Sequence, residues 1–153
     1  MSITIELPFP PSANKYWRVV RNRIIKSGEA RTYDRILMHL LLEYSKQIMQ
    51  WNIGGGCNKP GWKQMGKDTR TLALSVAVHY PKRSGALTDI DNLLKIMIDC
   101  LEGVLFENDR QFRHIQISRE AQTTKEGSIR VTIKECPDEL EVHDGTFIVK
   151  GIH

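Results

Sequence analysis

Thr88-Asp89-Ile90-Asp91-Asn92-Leu93-Leu94-Lys95 sets two carboxylates and an amine around the start of a helix. Where the chain is still extended, residues two apart project to the same side, so Asp89 and Asp91 converge as the helix begins. Asp91, Lys95 and Asp99 then follow at four-residue steps, which puts them on one helical face, away from a Leu93-Met97-Leu101 stripe. Clustered carboxylates suit Mg²⁺, a hard cation that takes oxygen ligands and accepts phosphate oxygens into its shell. A metal held there would make a bound water more acidic and neutralise a phosphate, while a lysine adds positive charge where negative charge develops. That is the equipment of phosphodiester hydrolysis. A further acid, Asp109 in Glu107-Asn108-Asp109-Arg110, follows the helix and is expected to fold back toward its start. The structural alternative makes Asp89 and Asp91 complements to the helix dipole behind a Thr88 cap, and Asp91, Lys95 and Asp99 a surface ion-pair ladder.

The elements that must position these groups are readable from periodicity. Residues 2–7 alternate polar and apolar as a half-buried strand does, and Pro8, Pro10 and Pro11 stop it. Between residues 33 and 49, Ile36, Leu37, Leu40, Leu41, Tyr44 and Ile48 recur at helical steps. Residues 52–67 hold five glycines and several lysines without periodicity, and read as a basic loop. A strand is predicted over 71–80, followed by the polar turn Lys82-Arg83-Ser84-Gly85. Ile90, Leu93, Leu94, Met97, Ile98 and Leu101 make the second helical stripe, with Thr88 as N-cap and Gly103 just past the end. Strands over 112–119 and 128–135, and a short one at 147–149, complete an α+β domain of order β-α-β-α-β-β, a mixed sheet with two main helices.

At 153 residues and 41% apolar composition the chain suits one domain with a real core. No apolar run is long enough to span a membrane and the start lacks a secretory pattern, so a cytoplasmic protein is expected, with no membrane partner. Cys57, Cys100 and Cys136 are scattered and lack metal-ligand spacing, which predicts reduced thiols. His39, His79, His114 and His143 show no ligand spacing either, and no serine triad is discernible. The net charge of +4 divides into −4 on residues 135–153 and hence +8 on residues 1–134. A basic body with an acidic tail favours a polyanionic partner. Lys15, Arg18, Arg21, Arg23, Lys26 and Arg31 interleave with Tyr16 and Trp17, a mix that pairs with phosphates and stacks on unpaired bases. The alternative packs Tyr16 and Trp17 beneath the first helix and leaves the charges solvated.

Three blocks carry a resemblance. Leu7-Pro8-Phe9-Pro10-Pro11-Ser12-Ala13-Asn14-Lys15-Tyr16-Trp17-Arg18, then Asp89-Ile90-Asp91-Asn92-Leu93-Leu94-Lys95 with Asp99, then Asn108-Asp109-Arg110-Gln111 resemble, in order, the RusA family of Holliday-junction resolvases. The resemblance implies a homodimeric, Mg²⁺-dependent endonuclease of DNA recombination and repair, with Mn²⁺ as an alternative ion, that nicks opposed strands of a four-way junction. It implies Asp89, Asp91 and Asp109 as metal ligands, Lys95 as the essential amine and Asp99 in support. Asn14, Lys15, Tyr16, Trp17, Arg18, Arg21 and Arg23 are the DNA contacts expected, with Lys82 and Arg83 as the remnant of a basic loop ahead of the first aspartate. Ala13 and Asn108 depart from the family pattern, and residues 136–153 form an acidic extension to a domain of residues 1–135. Rival readings are an accessory protein that binds junctions without cutting, and a nuclease for other branched DNA.

Overall fold

The computed structural model describes residues 1–53, 68–82, 89–136, 140–143 and 146–149. The predicted basic loop beyond residue 53, together with Arg83 and Thr88, lies outside them. Strand β1 (Ser2–Pro8) leads into a single helical turn α1 (Ala13–Tyr16) and a hairpin of β2 (Trp17–Val20) and β3 (Arg23–Lys26). Helices α2 (Gly28–Glu43) and α3 (Ser45–Ile53) follow, then β4 (Leu72–His79), α4 (Ile90–Leu101), a 3-10 turn at Asp109–Gln111, β5 (Phe112–Arg119) and β6 (Ser128–Glu135). Strands β7 (Leu140–His143) and β8 (Thr146–Val149) pair with each other. The expected α+β order is recovered, with α1, the hairpin and β7 added to it.

The main sheet has the order β1-β6-β4-β5, and only β4 and β5 run parallel. Parallel neighbours need a crossover, which α4 supplies. One sheet face carries Ile3, Ile5, Leu7, Leu72, Leu74, Val76, Val78, Ile129, Val131 and Ile133 into the core. Against it pack Tyr33, Leu37 and Leu41 of α2, Ile48 and Trp51 of α3, and Leu93, Ile96, Met97 and Leu101 of α4. Among the described residues no helix is long and apolar enough to cross a membrane.

The single helix expected over 33–49 is two. Ser27 opens α2, its hydroxyl accepting from Ala30 N at 3.1 Å. The helix closes at Tyr44, whose hydroxyl accepts from the Glu6 amide of edge strand β1 at 3.3 Å. Beyond the break Ile48 and Trp51 enter the core, while Ile36 of the expected stripe is 47% exposed.

Gly127 ahead of β6 has φ +75°, and a Cβ there would lie 2.9 Å from Pro81 and 3.0 Å from Phe9. Gly127→Ala is expected to cost about 2 kcal/mol, combining left-handed backbone with overpacking. Thermal unfolding monitored by circular dichroism should show a melting point lower by about 4–8 °C.

Candidate functional site

Asp89 stands just before α4 in extended backbone, with φ −59° and ψ 135°, and its side chain makes no capping hydrogen bond. Asp91 occupies the first turn of α4. Both are exposed, as are Lys95 and Asp99 one and two turns further on, so the expected polar face opposite the buried stripe is present. The helix N-terminus places positive partial charge beside Asp89 and Asp91. Lys95 forms no ion pair with either Asp91 or Asp99. The carboxylates at the N-terminus of α4 are therefore spent neither on a cap nor on a ladder.

Asp109 is held by a different part of the molecule. In the 3-10 turn the Asn108 side chain accepts from Arg110 N at 2.9 Å, and Gln111 Oε1 accepts from the Glu107 and Asn108 amides at 2.7 and 3.1 Å. The preceding turn is pinned from α3: Trp51 Nε1 donates to Leu105 O at 2.7 Å and Asn52 Nδ2 to Val104 O at 3.0 Å. Gln111 Nε2 donates to Arg70 O at 3.2 Å, and Glu107 Oε2 accepts from Asp68 N at 2.9 Å. At the centre the buried Arg70 grips both Asp68 oxygens at 3.0 and 2.9 Å, donates to Trp51 O at 2.9 Å and lies 4.3 Å over the Trp51 ring. Burial pushes the Asp68 carboxyl up, but hydrogen bonds from Arg70 and Gln111 and the guanidinium charge prevail and hold it below the usual carboxylate range.

This brace fixes Asp109 at the opposite end of α4 from Asp89 and Asp91. Asp109 comes immediately before β5, beside the start of its parallel neighbour β4, whereas Asp89 comes after β4 has crossed the sheet. The 12 residues of α4 separate the two ends by about 18 Å. Asp109 instead shares the C-terminal end of α4 with Asp99 and Glu102: slight burial and then the charges of Asp109 and Asp99 raise the Glu102 carboxyl. The expected folding back of Asp109 onto the helix start is thus corrected, because a parallel crossover returns the chain to the end of the sheet where β4 began. Among the described residues no three acidic, histidine or cysteine side chains are grouped closely enough to hold one metal ion. The oxygen donors suit Mg²⁺, and one chain supplies them as two half-sets.

The basic strip is divided as well. Tyr16 is fully buried, its hydroxyl donating to Asp34 at 3.3 Å and lying 3.4 Å from Cys100 Sγ on α4. Its ring is therefore not available for stacking on bases, and the packing alternative holds for it. Trp17 is half-buried at 5.1 Å from the Tyr16 ring, and Lys26 is paired with Asp34 at 2.8 Å. Lys15, Arg18, Arg21, Arg23 and Lys82 are exposed. Asn14 lies in α1.

Sequence reasoning missed Asp68, Arg70 and Glu102, and it missed the hairpin. Asp68 and Arg70 sit outside any periodic segment, and their only sequence signal is an acid and a base two residues apart before a strand.

The family model described as "Endodeoxyribonuclease RusA" matches residues 8–134. A curated relative from Escherichia coli O139:H28 (strain E24377A / ETEC), "Crossover junction endodeoxyribonuclease RusA", is 28% identical over 140 residues, covering 89% of this chain and 97% of the relative.

Proposed function

Since the chain belongs to the RusA family of endodeoxyribonucleases, we propose that it is a Mg²⁺-dependent nuclease that resolves four-way DNA junctions by paired nicks, in DNA recombination and repair. The observation that carries this reading is the exposed Asp89, Asp91 and Lys95 group at the start of α4, free of capping and ion pairing among the described residues, inside the span that matches the family. The match ending at residue 134 supports assigning the nuclease to residues 1–135, with 136–153 as an extension.

The separation of Asp109 from Asp89 and Asp91 favours a site completed across a symmetric dimer. If two copies pair α4 against α4 about a two-fold axis, the Asp89 and Asp91 end of one meets the Asp109 end of the other, twice. Those three carboxylates would hold the ion, which when bound supplies charge neutralisation and a more acidic water. Lys95, one turn from Asp91, adds positive charge beside the phosphate, where the transition state gains negative charge. Exposed Arg18, Arg21, Arg23 and Lys82 would bind the flanking backbone, and Asp99, on the same helix face, would have a supporting role.

The test is a labelled four-way junction with purified protein. Paired nicks in Mg²⁺ or Mn²⁺ and none in chelator are expected. Tight junction binding with no cleavage in any divalent ion would instead establish the accessory-protein reading, which the split carboxylates of the single chain also fit. Faster cleavage of flaps or forks than of junctions in a substrate panel would move the activity to other branched DNA.

A further inference from the structure

The hairpin of β2 and β3 exposes what a folded chain normally buries. Val19 is 74% and Ile24 72% exposed, the highest values for any large apolar side chain among the described residues. They face each other directly in the antiparallel ladder, so they form one apolar pair on one face. The same face carries Trp17 and Lys26 at the root, where Trp17 packs on the core and Lys26 bonds to Asp34. The pair therefore projects beyond the body. The other face carries Arg18, Val20, Arg23 and Ile25, and Val20, Arg21, Arg23 and Ile25 line a groove of about 460 Å³. The tip is a two-residue turn, Arg21 at φ 48° and Asn22 at φ 59°. Left-handed backbone at both positions is what a tight hairpin needs, and glycine would adopt it with less strain than arginine. Here it places a guanidinium at the apex.

The hairpin holds no acidic residue, and none of its three arginines is ion-paired among the described residues. A second copy docked on this face by two-fold symmetry would bring two basic hairpins together with no acidic side chain on either to offset their repulsion. A polyanion relieves the same repulsion. Apolar side chains that enter base steps while cations grip the neighbouring phosphates are how proteins unstack and kink duplexes.

We propose that the β2–β3 hairpin is a wedge for branched DNA: Val19 and Ile24 enter an opened base step at the branch point while Arg21 at the apex and Arg18 and Arg23 on the opposite face hold neighbouring phosphates. This rests on the reading of the chain as a nuclease for branched DNA. The root is tied to α4 through Tyr16, whose hydroxyl lies 3.4 Å from Cys100 Sγ.

The experiment uses full-length protein, Ca²⁺ to hold the junction uncut, and 2-aminopurine beside the branch point. Wild-type protein should brighten the probe as the base unstacks. Val19→Thr/Ile24→Thr keeps strand-favouring, β-branched shapes, and should cut the brightening about fivefold or more while affinity weakens less than about threefold. In Mg²⁺ this variant should cleave an intact junction about tenfold more slowly, and recover on a junction with two unpaired bases at its centre. Arg21→Gln/Arg23→Gln should instead lower affinity about tenfold and flatten its salt dependence by about two phosphate contacts. Met49→Gln, an exposed apolar residue on α3, is the control.

Wild-type brightening and cleavage by the threonine variant would overturn the wedge. So would a threonine variant that sediments as monomer where the wild type is dimer, since the face would then belong to a second copy. Failure of the underlying reading is scored separately, on wild-type protein: no binding to any branched DNA would remove it, and the wedge with it.

Discussion

A mixture of Asp91→Asn and Asp109→Asn proteins, co-refolded at equal amounts, is expected to nick junction DNA although neither variant does so alone. Each substitution removes a carboxylate proposed to hold the same ion, and each alone should lower cleavage about 10³-fold with DNA binding retained. The fold makes the mixture informative. Asp91 lies in the first turn of α4, and Asp109 lies beside Glu102 at its other end. If a site joins one copy's Asp89 and Asp91 to its partner's Asp109, a mixed dimer holds one doubly altered site and one intact site. Random pairing makes half the dimers mixed, so about a quarter of wild-type sites should return, seen as single nicks rather than paired ones. A mixture as inactive as its components would place all three acids in one chain's own site, or none of them in it.

Arg70→Ala is expected to be the most damaging single change outside the acidic groups, costing about 3–5 kcal/mol. It strips a buried carboxylate of its only ion-pair partner among the described residues, and removing one member of a buried pair costs far more than the pair itself contributes. The melting point should fall by about 10 °C or more. Adding Asp68→Asn to that variant should restore part of the loss, because no bare charge then remains buried. The wild-type pair also sets an acid limit. A carboxyl whose folded pKa is depressed contributes its stabilisation above the unfolded value, and loses it as the pH falls through the lowered folded value. Wild-type unfolding free energy should therefore drop as the pH falls below about 4, and the Asp68→Asn/Arg70→Ala protein should lack that component. Equal acid sensitivity in both would remove Asp68 as its source. Because this brace also carries Gln111 and Glu107, cleavage by Arg70→Ala should suffer through a misplaced Asp109 even where the protein remains folded.

Much of the fold is legible in the sequence. The strands at 2–7, 71–80, 112–119 and 128–135 and the helix at 90–101 announce themselves through period-two and period-3.6 patterns, and Gly103 indeed ends α4 at φ 80°. The exposed face of Asp91, Lys95 and Asp99 follows from the same arithmetic. The hairpin did not, because its strands are four residues each and its turn is Arg-Asn rather than a glycine pair. Nor did the burial of Tyr16, whose aromatic-and-basic neighbourhood reads equally well as a stacking platform.

The sequence by itself determined which side chains share a helix face and which residues form the D-x-D-N-L-x-K block, since both depend only on neighbours a turn or less apart. Only the tertiary structure decided that Asp109 sits at the far end of α4, that Asp68 and Arg70 brace it, and that Val19 and Ile24 stand in solvent. Those outcomes depend on strand direction and on which segments pair across the sheet. Such pairings join residues remote along the chain, and no local spacing encodes them.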